Sequence, residues 1–289
     1  MSHSGQVVAS WRTRTIRQGT GCYARTRTVF PKLFTVGSFY LPTYGLLVAI
    51  GFLAGLSVTV RLAKRSGLNP ELITNLAVYV AFAGLAGAKL LMIAFDRPTL
   101  GEIFSLPTLQ AAGVFQGGLI LAIVTAYYYI RRQGLPLLAT MDAFAPGIAI
   151  GHAIGRLGCL AAGCCWGTEC TRPWAITFHN PAAAELTGVP LETPLHPAQL
   201  YEFTTEGLLF GYLFWRYGRS HEPGRIIGLY LVMSSVARFA IEFFRHHDQA
   251  LPFGLPLSIT QWIAIGLALL GAYLLRVPAT GHSPKTATA

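Results

Sequence analysis

Charge is scarce in this chain. Only 12% of its 289 residues are charged, and just 12 are acidic against 22 Lys and Arg. A soluble domain carries about twice that charged fraction, which excludes a soluble globular protein. What fills the chain is apolar: 53% of the residues are hydrophobic and the mean hydropathy is +0.48, the composition of an integral membrane protein. The shortage of acid leaves a formal net charge of +10, which invites a nucleic-acid reading. The positions exclude it, because most Lys and Arg fall in short tracts between apolar spans, where the positive-inside rule puts them. Internal repeats are lacking too, so the inverted-repeat layout of many transporters finds no support. Cysteines number only five, and that count fixes no redox compartment.

Residues 1–38 lack an apolar core, so they are neither a signal peptide nor a span. They are expected to form a basic tail, disordered or surface-bound. Seven apolar stretches follow, each near the ~20 residues a helix needs to cross a bilayer, at about 41–62, 72–95, 111–130, 140–160, 198–215, 225–244 and 257–275. The fold expected is an all-α polytopic membrane protein. Its seven transmembrane helices occupy 39–277, with a small extracytoplasmic subdomain between helices 4 and 5 over 161–197 and a short cytoplasmic tail over 278–289. Ten basic residues lie on one side of this layout (Arg61, Lys64, Arg65, Arg131, Arg132, Arg216, Arg219, Arg225, Arg276, Lys285) and three on the other (Arg97, Arg172, Arg245). The bias predicts the C-terminus inside, with the N-terminus and 161–197 outside.

The chain turns on the stretch from Asp142 to Gly167, DAFAPGIAIGHAIGRLGCLAAGCCWG. It is apolar enough to cross, yet it holds Asp142, His152, Arg156 and three cysteines. An arginine at membrane depth costs roughly 2.5–3.5 kcal/mol on insertion scales unless it faces protein or a polar cavity. Further ionisable residues sit in or at the ends of spans: Lys89, Glu202, Glu206, Arg238 and Glu242. Arg238 and Glu242, four apart, share a helix face and suit an internal ion pair. Lys89, Arg156 and Arg238 together exceed what local pairing needs, and a cationic pocket for an anionic lipid headgroup accounts for them.

The order of GRLG (155–158), HPAQLYE (196–202), ARFAIEFFR (237–245) and LSITQW (257–262), with TYG at 43–45, GAK at 87–89 and FQGG at 115–118, resembles the bacterial prolipoprotein diacylglyceryl transferase family. That resemblance spans nearly the whole chain from about residue 36. It implies a seven-span inner-membrane enzyme that moves the diacylglyceryl group of phosphatidylglycerol onto the lipobox thiol of a preprolipoprotein, recognised through its signal peptide, with release of glycerol 1-phosphate. By resemblance, Arg156 and Arg238 bind the phosphate and stabilise the leaving group. Glu202 and Glu242 orient them or take a proton, and Gln116 belongs with the catalytic set. Tyr44, Lys89, His196 and Gln199 join the arginines in substrate binding. Membrane lipid is the other expected partner, nucleic acid is not one, and neither a cofactor nor a metal is expected. Two other readings stand beside this one: a related enzyme serving a different acceptor, with a cysteine as covalent relay, and a lipid-handling membrane protein without covalent chemistry.

Several positions depart from the family pattern. Gln116 stands where the family has a histidine, and it cannot act as a base. Cys159 and Cys164 stand where it has an asparagine and a glutamate, Ser234 where it has a tyrosine, and Lys89 where it has an arginine. The cysteines at 159, 164, 165 and 170 do not follow the C-x₂₋₄-C pairing of structural zinc sites. Disulfide or packing roles, a reactive thiol and a metal site are all open to them.

Overall fold

The computed structural model describes residues 29–36, 39–97, 99, 101, 105, 108, 113–246 and 256–276. Most of the expected basic tail, residues 1–28, and the C-terminal tail from 277 lie outside these. Among the described residues seven helices of 18 residues or more run through the chain: α1 (Thr43–Arg65), α2 (Pro70–Asp96), α3 (Phe115–Arg132), α4 (Leu137–Ala162), α6 (Ala198–Tyr217), α7 (Arg225–Glu242) and α8 (Ile259–Arg276). They fall on the seven apolar stretches. A short helix, α5 (Pro181–Thr187), and two small antiparallel pairs complete the fold: β1 (Lys32–Val36) with β2 (Phe39–Pro42), and β3 (Ile176–Thr177) with β4 (Pro194–Leu195). The hairpin β1–β2, which straddles the expected tail boundary, was not anticipated from sequence.

Four of the long helices, α1, α2, α4 and α8, are long and apolar enough to cross a membrane. The other three also carry charges: Arg131 and Arg132 on α3, Glu202 and Glu206 on α6, Arg238 and Glu242 on α7. The distribution of apolar surface is that of a protein solvated by lipid. Phe82, Leu85, Ile120, Leu208 and Leu269 are each more than 60% exposed, whereas Asp142, Glu202, Glu206 and Glu242 are buried. In water such a surface would be a large apolar patch in need of a partner; in hydrocarbon it is the expected exterior.

Local signals explain the helix ends. The Asn69 side chain accepts from the amides of Glu71 (2.9 Å) and Leu72 (3.4 Å), and Pro70 occupies the first turn, so α2 starts there. α4 ends in a Schellman turn. Gly163, at φ 74°, takes the left-handed position; its amide reaches Leu160 O, and that of Cys164 reaches Cys159 O (3.0 Å).

α4 is the hub, packing against α1, α6 and α7. Its crossing with α1 is close because a Cβ at Gly55 would stand 2.6 Å from the Gly147 carbonyl oxygen, the small-residue device of membrane helix pairs. α2 packs on α3, and that pair joins the rest chiefly through α1; α7 packs on α6 and α8. Asp142, grouped with the charged constellation by sequence, has a structural task. Its carboxylate accepts from the amides of Gly224 (2.7 Å) and Ile227 (2.8 Å), capping α7 from a neighbouring helix. The segment between α4 and α6 has its own small core of Ile176, Phe178, Ala183, Val189 and Leu195, joined by Val29. It is tied to the end of α7 by the amide of Thr168 on Phe244 O (2.9 Å) and by a bridge between Gly167 and Arg245.

A candidate anion site beside a thiol cluster

Glu202, 3% exposed on α6, is the centre of a buried ion cluster. Its Oε2 lies 2.6 Å from Arg156 Nε, and its Oε1 receives Arg238 Nη1 (3.1 Å) and Arg245 Nη1 (3.2 Å). Glu242 sits beside it: its Oε2 meets Arg238 Nη2 at 2.8 Å and Arg245 Nε at 4.0 Å, and its Oε1 accepts from Ser258 Oγ at 2.9 Å. Ser258 is held in turn by Gln261, whose Oε1 accepts from the Ser258 amide (2.9 Å). Three guanidiniums from α4, α7 and the turn after α7 thus converge on two carboxylates, with one positive charge to spare. One turn further along α6, Glu206 accepts from Ser234 Oγ (2.6 Å) and lies 3.3 Å from His152 Nδ1. Arg156 Nε donates to His152 Nε2 (3.1 Å). That makes Nε2 the accepting nitrogen of His152 and leaves Nδ1, near Glu206, as the one to carry a proton. Guanidiniums held in place by ion pairs are a pre-arranged seat for an anion, and need no reorganisation when negative charge grows between them.

The structure joins Arg156, Glu202, Arg238 and Glu242 as one network, the Arg238–Glu242 pair included. His196 and Gln199 make their own contacts beside it. His196 Nδ1 is 3.0 Å from the Tyr201 hydroxyl and its ring lies against Phe244, centroids 5.1 Å apart. Burial, and behind it the charge of Arg172, pull its pKa below the ordinary 6.5. Gln199 Nε2 donates to Cys164 O (2.7 Å), and its buried Oε1 has no hydrogen-bond partner. Tyr44 packs over Gly158, two residues beyond Arg156 on α4. Lys89 and Gln116 lie on the α2–α3 pair instead. The Lys89 ammonium donates to Thr108 O (2.6 Å), and Gln116 is exposed in the first turn of α3. Sequence reasoning missed Arg245, which it counted as a loop charge, and assigned no role to His152 or Ser258. The helical spacings His152–Arg156 and Glu242–Arg245 were the signal that could have found the first two.

Against this cluster lies a second one. The Sγ atoms of Cys159, Cys164 and Cys165 are all within 4.8 Å of one another, and Arg156 Nη1 approaches Cys159 Sγ at 3.9 Å. The cysteines among the described residues are all free thiols, so the disulfide reading is not met there. The Schellman turn folds Cys164 back over the last turn of α4. Cys165 then takes φ 60°, left-handed for a residue with a Cβ, a conformation that costs of order 1 kcal/mol or more. The neighbouring thiols of Cys159 and Cys164, and behind them the charges of Arg245 and Arg156, pull the pKa of Cys165 below the usual thiol range despite burial. Cys170, buried in the same segment, accepts at Sγ from the Arg172 amide (3.4 Å).

Residues 31–277 match the model of the family described as prolipoprotein diacylglyceryl transferase. Individual proteins named phosphatidylglycerol–prolipoprotein diacylglyceryl transferase are similar over most of their length. The protein from Clostridium tetani is 28% identical over 248 residues, covering 86% of this chain and 97% of its own. Those from Ruegeria pomeroyi and Nitratidesulfovibrio vulgaris (strain Miyazaki F) are 31% and 32% identical, covering 86% and 85% of this chain and 90% and 92% of their own.

Proposed function

The chain belongs to the prolipoprotein diacylglyceryl transferase family, and on that premise we propose that it transfers the diacylglyceryl group of phosphatidylglycerol to the cysteine thiol of a preprolipoprotein. The acceptor thiol releases its proton to water, and its sulfur attacks the diacylglyceryl carbon that bears the phosphate ester. A C–S bond forms, the C–O bond breaks, and its electron pair leaves on glycerol 1-phosphate. A phosphodiester monoanion becomes a monoester with one more negative charge, so the barrier depends on cations placed where that charge appears. Arg156, Arg238 and Arg245 take this role. Glu202 and Glu242 act as positioning residues that aim the guanidinium planes, and His196, Gln199 and Tyr44 border the space where headgroup and acceptor meet.

The observation that supports this reading best is the cluster itself. Replacing buried ion pairs by apolar residues is often neutral or stabilising, so three arginines sunk among lipid-facing helices serve something other than stability. A covalent cysteine relay is chemically disfavoured. Its intermediate would be a thioether, from which a second thiol displaces the alkyl carbon with great difficulty. All seven long helices cross the inner membrane in this reading, with the α4–α6 segment outside and the C-terminus cytoplasmic. Complementation tests it: a strain depleted of its own transferase should grow when given this chain, and a reporter lipoprotein should gain the mass of one diacylglyceryl group. Stable expression with an unmodified reporter would refute the reading.

A further inference from the structure

We propose that Cys159, Cys164 and Cys165 form a three-thiolate zinc site whose fourth position is open to the acceptor thiol. The inference rests on the transferase reading and names what holds the nucleophile in it. Three sulfurs within 4.8 Å of one another are near what one zinc requires. At Zn–S distances of about 2.3 Å and tetrahedral angles, bound sulfurs stand roughly 3.8 Å apart, so closing the cluster moves each by about an ångström at most. Two thiols would suffice for a disulfide; the third is surplus to one and all three are used by a metal. The backbone supports the same conclusion, since the left-handed Cys165 holds a strained conformation that swings its sulfur toward the other two. Charge agrees as well. Three thiolates and a divalent zinc sum to one negative charge, set against Arg156, which reaches Cys159 Sγ at 3.9 Å.

Zinc with three protein ligands and an open place is the pattern of catalytic rather than structural sites. A thiol that enters that place is deprotonated by coordination, and its proton passes to water. The metal-bound sulfur attacks the glycerol carbon, the C–O electron pair departs on the phosphate held by the arginines, and the neutral thioether leaves zinc as a poorer ligand than the thiolate it replaced. This supplies nucleophile activation where Gln116 cannot serve as a base. It also explains why the thiol cluster and the anion site share Arg156.

The test uses the full chain purified in detergent under reducing conditions. Elemental analysis should find one zinc per chain. Titration of the metal-free protein with cobalt(II) should give the thiolate-to-cobalt charge-transfer absorption at one equivalent. Cys165→Gly suits the left-handed backbone and so keeps the fold, but it should lower metal affinity by more than about 100-fold, since even second-sphere losses cost 10–100-fold. Cys170→Ser should bind as the parent does. Transfer from phosphatidylglycerol to a cysteine-containing lipobox peptide should fall at least tenfold on removing zinc and return when it is restored. Absence of cobalt absorption in the reduced parent chain, or a disulfide among the three cysteines in non-reducing peptide maps, overturns the site. Undiminished transfer by Cys165→Gly overturns the role of zinc and leaves the transferase reading standing. A zinc-loaded chain that transfers nothing overturns the transferase reading, and the acceptor role with it.

Discussion

Glu202→Gln separates a carboxylate that aims arginines from one that binds substrate. Its two oxygens hold Arg156 at 2.6 Å, Arg238 at 3.1 Å and Arg245 at 3.2 Å. Glutamine keeps the volume but removes the charge, and its NH₂ cannot accept. Arg156 loses its carboxylate partner, and Glu242 remains as the carboxylate beside Arg238 and Arg245. Breaking a buried pair by removing one side typically costs about 3–5 kcal/mol. Here the arginine side chains are 16–22% exposed, so the lower end of that range applies. The net charge of the cluster meanwhile rises from one positive to two, which favours the anionic donor. We expect kcat to fall about 10²–10³-fold, the scale of losing one well-aimed donor, while KM for phosphatidylglycerol stays level or drops. Glu202→Asp keeps the charge but is one methylene short, and should fall between. The assay follows the mass shift of a lipobox peptide at varied phosphatidylglycerol in mixed micelles. A raised KM at unchanged kcat would mean that the carboxylate contributes uniform binding alone, and would refute the positioning account.

Arg156→Lys should lose nearly as much transfer as Arg156→Ala, about 10²-fold or more, because an ammonium cannot reach Glu202, His152 and an anion with one fork; parity with the parent in a peptide assay would sink this. Asp142→Ala removes the cap of α7 and should lower the thermal midpoint in detergent by an amount matching about 1–2 kcal/mol, with KM unchanged. Burial and Arg172 hold His196 neutral in the fold, so below the ordinary 6.5 the unfolded chain takes a proton that the folded one refuses. Stability should therefore fall as pH drops through 6.5, and His196→Gln should flatten that part of the midpoint–pH curve. A phosphatase fused after Glu185 should be active and one fused after Arg132 inactive; the reverse would invert the topology.

The long helices were legible in the sequence because lipid imposes a simple rule on length and polarity. Helix α4 was the correct centre, for its glycines and its arginine mark both close packing and a buried charge. Arg156, Glu202, Arg238 and Glu242 announced themselves as charges amid apolar runs. Arg245 did not, because past the end of a span a charge reads as a loop residue, and only the fold turns it back onto Glu202. The thiol cluster was hidden for a different reason. Its geometry depends on Gly163 reversing the chain and on the left-handed Cys165, so linear spacing resembles no metal motif. Gln116 and Lys89 show the converse: their motifs were read in order along the chain, and order did not reveal that α2 and α3 form a pair of their own.

The ion cluster also bears on how the chain enters the membrane. Arg156 is synthesised 46 residues before Glu202 and 82 before Arg238, so α4 emerges with its guanidinium unmatched. Helix α6 emerges with two carboxylates and α7 with further arginine. Singly, each carries a charge into lipid at a cost, up to about 2.5–3.5 kcal/mol or more near the bilayer centre. Together their charges nearly cancel. Partition of α4 should therefore await α6, with the insertion machinery holding the early helices until their counter-charges arrive, and a chain truncated after α4 should be retained or degraded rather than integrated.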